Sequence, residues 1–234
     1  MEISPIARYR CDLPDKFGVP RQSGLVEELA GRVMFEREYR SREALRGIGG
    51  FSHLWLIWGF DRAAKPAGGW SPTVRPPRLG GNTRMGVFAT RSPFRPNGLG
   101  LSCVRLTGVE EDGPEAPVLL TAGADLLDGT PIYDVKPYVP YADCRPEALG
   151  GFAPEAPPAL AVEFEAPPPP GFPAEKLPAL RGVLAQDPRP RYHRDPERVY
   201  ALSFAGHTVR FAVREGTVRV LDIRAGVPAA PPPR

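Results

Sequence analysis

Between Gly150 and Pro173 the chain carries Pro154, Pro157, Pro158, Pro167, Pro168, Pro169 and Pro170. Such a segment lacks backbone donors, stays extended and forms no core of its own. It therefore divides the chain into an upstream piece of about 150 residues, able to enclose a core, and a downstream piece of about fifty, which is marginal alone and must pack on something. The organisation expected is a β domain over residues 1–149, a linker over 150–172, a small α+β domain over 173–227 and a disordered tail over 228–234. A short strand over 160–164 is compatible with the linker.

Short apolar runs separated by Gly/Pro turns fill the upstream piece. Strands are expected over 32–39, 54–60, 85–90, 101–110, 117–124 and 131–138, and one short helix over 42–48, capped by Ser41 and ended by Gly49-Gly50. The run over 54–60 is apolar enough for a strand buried on both faces, with His53 a satisfied core histidine at its start. Many short strands and almost no helix indicate a barrel or sandwich. Downstream, Leu177, Leu180, Val183 and Leu184 share a helical face over 176–186, followed by strands over 199–204, 207–213 and 217–223. That pattern is a helix and a three-stranded meander.

Charge is unevenly spread. Arg62, Lys65, Arg75, Arg78, Arg84, Arg91, Arg95 and Arg105 lie in a stretch without one Asp or Glu, whereas the remaining 22 basic and 27 acidic residues leave the rest of the chain at −5. A near-neutral chain with its cations in one segment is suited to a polyanion such as nucleic acid. Arginine outnumbers lysine 26 to 4, which favours bidentate phosphate contact and stacking on bases. The loop 187–195, with Arg189 and Arg191, is either a second RNA-facing element or a charged connection. Three cysteines without a CxxC pair argue against a disulfide framework, and three scattered histidines against a metal. No signal-peptide or membrane-spanning segment is evident, so a cytoplasmic location is expected.

Three segments combine polar side chains with glycine and proline. They are 16–25, 75–100 and 125–138. No phosphate-binding P-loop occurs, and Gly98-Leu99-Gly100 precedes a strand-like run, so it does not open a dinucleotide-binding helix. In the third segment Asp128-Gly129 is a turn, and strand alternation sets Asp134, Lys136 and Tyr138 on one face, either a solvated surface or the wall of a site.

Together these segments resemble the TsaA-like family of TrmO-type tRNA (adenine-37 N6)-methyltransferases. The matching residues are Lys16 to Gln22, Phe51-Ser52-His53-Leu54-Trp55, Val74 to Asn82, Arg84 to Asn97, Asp128-Gly129-Thr130-Pro131, Asp134 to Tyr138 and Leu184 to Tyr192. The resemblance implies a small β-barrel that binds S-adenosylmethionine without a Rossmann fold, commonly as a homodimer, and methylates N6 of threonylcarbamoyl-adenosine beside the tRNA anticodon. It implies cofactor contacts at Ser23, Gly24, Leu25, Asp61, Arg62, Arg91, Leu101, Leu126, Leu127, Asp128 and Gly129. The family usually has Pro where Ser23 stands and His where Asp61 stands, and the second difference changes the local charge. Asp128 is the carboxylate expected near the sulfonium. Asp134 or Tyr138 would take the N6 proton, with Lys136 on the same face, and Tyr138 would otherwise stack on adenine. Arg75, Arg78, Arg84 and Arg95, with Arg189 and Arg191, would hold tRNA. A non-catalytic RNA-binding protein and a small-molecule methyltransferase of the same fold are the alternatives. Cofactor affinity separates the first alternative, and the unused basic stretch argues against the second.

Overall fold

Alternating burial governs the first half of the chain. The computed structural model describes residues 2–62, 70–190 and 195–226. Its strands are β1 (Ala7–Cys11), β2 (Ala30–Phe35), β3 (His53–Gly59), β4 (Thr73–Val74), β5 (Met85–Gly86), β6 (Leu99–Glu110), β7 (Val118–Ala122) and β8 (Pro131–Pro137). Six of them close a barrel in the order β1-β2-β7-β6-β3-β8, every neighbouring pair antiparallel. Along β3, Leu54, Leu56 and Trp58 are buried inside, while His53, Trp55 and Ile57 are only half-buried. The expected burial of β3 on both faces is thus corrected, because a small barrel packs only its inner face. His53 is likewise not a core residue: it sits at the strand start with Nδ1 2.9 Å from Ser52 Oγ.

Two elements depart from expectation in the upstream piece. The run 85–90 is a two-residue strand followed by a 3₁₀ turn, Val87–Ala89, because Val87 N–H donates to Pro72 O (2.9 Å) and leaves the ladder. The expected helix over 42–48 is two 3₁₀ turns, Glu43–Leu45 and Ile48–Gly50, separated at Gly47. β1 carries two arginines in five residues yet completes the barrel, with Ala7 and Tyr9 buried inside and Arg8 and Arg10 pointing away from the core.

After a single turn of helix, α1 (Pro140–Asp143), come β9 (Ala161–Phe164), α2 (Leu177–Ala185), β10 (Tyr200–Phe204), β11 (His207–Arg214) and β12 (Thr217–Ala225). β9 pairs parallel to β12, so the expected three-stranded meander is a four-stranded sheet, β10-β11-β12-β9. Leu180, Leu184, Leu202, Phe204 and Phe211 share one apolar cluster with Leu13, Val26 and Leu29 of the loop between β1 and β2. Burying each such side chain contributes roughly 1.5–3 kcal/mol, so the C-terminal sheet grips that loop. Lys176 also pairs with Asp12, and Ala205 N–H donates to Asp12 O (3.1 Å).

Antiparallel closure puts the long loops 12–29, 60–98 and 123–130 at one end of the barrel, and 36–52 and 111–117 at the other. The tail 228–234 lies outside the described residues.

Candidate functional site

The loop between β7 and β8 is bonded to β1. Asp128 N–H donates to Leu13 O (2.9 Å), its Oδ1 accepts Cys11 N–H (3.1 Å), and its Oδ2 lies 3.3 Å from Arg10 Nη1. Gly129 follows with φ +82 and donates to Tyr9 O (2.7 Å). A Cβ there would be strained and would meet Arg62 Nη2 at 3.1 Å. Arg62 in turn donates to Asp128 O (2.7 Å) and Pro14 O (2.9 Å), and its own carbonyl accepts the Lys16 ammonium. Arg62, Asp128 and Gly129 are therefore brought together, but as a clamp between two loops. The Asp128 carboxylate is already committed to Cys11 and Arg10. Asp61 is exposed in the adjoining turn.

A second carboxylate lies in the same loop and is absent from the sequence-derived set. Asp125 is partly buried, and its Oδ1 accepts Ser102 O–H at 2.5 Å. Ser102 is held in turn by Trp58 Nε1–H (2.9 Å). Trp58 lies flat against Gly100, where a Cβ would fall 2.3 Å from the ring, so this position accepts only glycine. Burial raises the Asp125 pKa above its ordinary value, although bonds from Ser102 and Ser23 N–H and the nearby Arg91 charge pull it down. Arg91 donates to Gln22, and Gly24 N–H donates to Gly123 O (2.8 Å), so the segment Gln22–Leu25 and Arg91 converge on Asp125. Leu126 is buried and its carbonyl accepts the Cys11 thiol (3.3 Å), whose pKa burial pushes up to about 12, so Cys11 stays a donor and not a nucleophile. Leu127 is half-buried beside it. Leu101 points away from this cluster, 55% exposed on the outer barrel face near the same rim.

Asp134, Lys136 and Tyr138 do share the outer face of β8 but do not form one cluster. Asp134 Oδ2 lies 3.0 Å from Lys136 Nζ, and Asp134 is paired with Ile57, two residues from the loop-bearing end of β3. Tyr138 is four residues further, roughly 13 Å at strand rise. It stands at the other end of the barrel, its N–H bonded to His53 O (3.0 Å) and its ring 5.8 Å from Trp55. Partial burial and Cys144 raise its pKa, so it is protonated at neutral pH.

Among the arginines of the basic segment, Arg75, Arg84 and Arg91 are exposed, and Arg78 and Arg95 half-buried. None of these five forms a salt bridge with a described carboxylate, although twelve salt bridges occur elsewhere among the described residues. Arg78 donates to Glu155 O and Arg95 to Thr90 O (2.9 Å). Arg189 differs: both Asp187 oxygens hold it, at 2.7 and 2.9 Å, which also raises its pKa. Arg191 and Lys65 lie outside the described residues. Among the described residues no cluster of His, Cys, Asp and Glu could hold a metal, and no helix is long and apolar enough to cross a membrane.

The same two-part division appears in known proteins. The model of the tRNA-methyltransferase O N-terminal domain matches residues 8–144, and that of the TrmO C-terminal domain residues 174–226. A tRNA (adenine(37)-N6)-methyltransferase of Escherichia coli K12 is 42% identical over 237 residues, spanning 95% of this chain and 97% of that protein. A Pseudomonas aeruginosa relative with "S-adenosylmethionine-dependent methyltransferase" in its name is 41% identical, spanning 96% and 98% of the two chains. The crystal structure of TrmO from Pseudomonas aeruginosa superposes with a TM-score of 0.78 at 34% identity, covering 95% of this chain and 97% of that one. With its barrel, its C-terminal sheet and its motif-bearing loops all matched, this chain belongs to the TrmO family of tRNA (adenine-37 N6)-methyltransferases.

Proposed function

We propose that the chain transfers a methyl group from S-adenosylmethionine to N6 of threonylcarbamoyl-adenosine at tRNA position 37. The observation that carries this is the convergence of Gln22–Leu25, Arg91 and Asp125–Gly129 at one barrel end, beside Arg75 and Arg84, which form no salt bridge with a carboxylate among the described residues. The donor set fits the cofactor. A partly buried carboxylate at Asp125 suits a cationic centre, Arg91 suits a carboxylate, and exposed Gly24 has nothing within 4 Å of its Cβ position to obstruct a ligand. When bound, the cofactor supplies an electrophilic methyl group on a sulfonium sulfur.

The chain's own residues have three tasks. Ser23, Gly24, Leu25, Arg91 and the 125–129 loop hold the cofactor, with Asp125 in place of Asp128 as the facing carboxylate. Asp134 accepts the N6 proton, since it lies nearer the loops than Tyr138; a positioned base is worth roughly 10²–10⁴-fold. Arg75, Arg84 and Arg95 fix phosphates, so that the acceptor nitrogen is held in line; alignment contributes up to about 7–11 kcal/mol in the best cases. A homodimer is the proposed assembly, to be measured by light scattering. Methyl transfer to tRNA with and without threonylcarbamoyl-adenosine, read by nucleoside mass analysis, tests the function. A new N6-methyl mark confined to the modified tRNA is expected. An equal mark on unmodified tRNA would remove the threonylcarbamoyl specificity.

A further inference from the structure

Two large aromatic rings in the basic segment are left in solvent. Trp70 is 51% exposed and Phe88 is 70% exposed, with centroids 5.9 Å apart and planes inclined by 33°. The fold has a reason to hold them there. Val87 is 1% exposed, its N–H is fixed to Pro72 O (2.9 Å), and its carbonyl accepts Thr90 O–H (2.8 Å). The 3₁₀ turn that buries Val87 therefore directs Phe88 outward on an anchored backbone. β4 and β5 pair just beyond, so residues 70–72 and 87–88 meet at the open end of a small hairpin. Arg75 and Arg84 lie on that hairpin, both exposed and without a salt bridge to a carboxylate among the described residues. Arg91, which reaches Gln22 at the cofactor loops, is three residues past Phe88.

We propose that Trp70 and Phe88 form a stacking platform for unpaired bases of an RNA loop, which the flanking arginines hold by its phosphates. The inference rests on the reading of the chain as a tRNA methyltransferase and adds how the nucleotides around the target are held. Charge complementarity selects this occupant: the segment from Arg62 to Arg105 carries no acidic residue, and Arg75 and Arg84 form no salt bridge with a carboxylate among the described residues. Bases in a duplex have covered faces, whereas loop bases offer theirs, and aromatic stacking accepts any base. The platform thus grips the loop without regard to sequence, while recognition of the modified adenosine is left to the cofactor end.

The test uses the full-length chain and its W70L, F88L and W70L/F88L variants, with W70F and F88Y as aromatic-preserving controls. Affinity is measured for an anticodon stem-loop RNA and for an uninterrupted duplex of the same length, each across a salt series. Loss of loop affinity by roughly 5- to 100-fold per ring is expected. Duplex affinity and the salt slope should stay unchanged, since no cation is lost. The aromatic controls should bind within about threefold of the parent, and RNA loops should quench Trp70 fluorescence. Equal loop affinity for the parent and the double variant would overturn the platform, as would equal losses for loop and duplex. Failure of the underlying reading is separable, because the parent protein would then neither bind nor methylate tRNA. The rings are exposed, so thermal unfolding of the variants should match the parent.

Discussion

The two ends of the barrel are built from the same six strands and use arginine in opposite ways. At the end carrying 36–52 and 111–117, Arg42 pairs with Asp112 at 2.9 Å and bonds the Glu111 carbonyl, Arg46 pairs with Glu43, and Arg40 bonds Phe35 O and Pro114 O. Arg40 and Arg42 thereby tie the two loops of that end to each other, and Arg46 closes its own turn. At the end carrying 12–29, 60–98 and 123–130, Arg62 is a clamp of that kind and Arg95 bonds Thr90 O, while Arg75 and Arg84 stand exposed with no salt bridge to a carboxylate among the described residues. An arginine without an internal anion keeps its full attraction for an external one. The strands are indifferent to this distinction, which the loops alone make.

The contrast is broken most severely at Asp125. Asp125→Asn should lower methyl transfer by on the order of 10²–10³-fold, the cost of losing one preorganised electrostatic group, with tRNA affinity unchanged. Ser102→Ala, which removes only the hydroxyl that orients that carboxylate, should cost less. Single-turnover kinetics at saturating tRNA would measure both. Parent-like turnover in Asp125→Asn would return the facing role to Asp128.

Next in size are the arginines. Arg75→Ala and Arg84→Ala should each weaken tRNA binding and reduce its salt slope by about one unit. Arg42→Ala at the opposite end should leave the slope untouched and shift stability by only about 0–1 kcal/mol, as exposed pairs do. Filter binding at several salt concentrations distinguishes the two ends directly. A slope that falls equally for Arg42→Ala would mean that RNA wraps the whole barrel, and the contrast would fail.

How much of this was legible depended on range. The strands β2, β3, β6, β7 and β8 and helix α2 follow from local alternation, helical spacing and turn residues, and they are found within a few residues of their expected bounds. β1 was overlooked because its two arginines mask the inward pair Ala7 and Tyr9, although the alternation is present in those five residues. The pairing of β9 with β12 joins residues more than fifty positions apart, which no local pattern encodes. Asp125 was missed for a similar reason. Its neighbours in sequence are apolar, and the groups that single it out, Ser102, Ser23 and Arg91, come from three other segments. Likewise the common face of Asp134, Lys136 and Tyr138 was readable, but which barrel end each occupies requires the closed topology.

The smallest effect, and the one most particular to Asp125, is on stability. Burial raises its folded pKa above the ordinary 3.8, so the folded state binds the proton more readily than the unfolded chain. Below 3.8 both states are protonated and the group costs nothing. Across the window from 3.8 up to the raised folded value the folded state loses stability as pH rises, and above that window the cost is constant. Asparagine carries no such cost and can still accept the Ser102 hydroxyl. Asp125→Asn should therefore match the parent near pH 3 and exceed it at pH 7, the gap opening within the window and then staying level. Denaturant unfolding of both proteins from pH 3 to 8 measures that difference, in which every other titrating group cancels. A gap of the opposite sign would mean that the bonds from Ser102 and Ser23 outweigh burial, and the carboxylate would then be a structural anchor like Asp128 rather than a charge held ready for a cation.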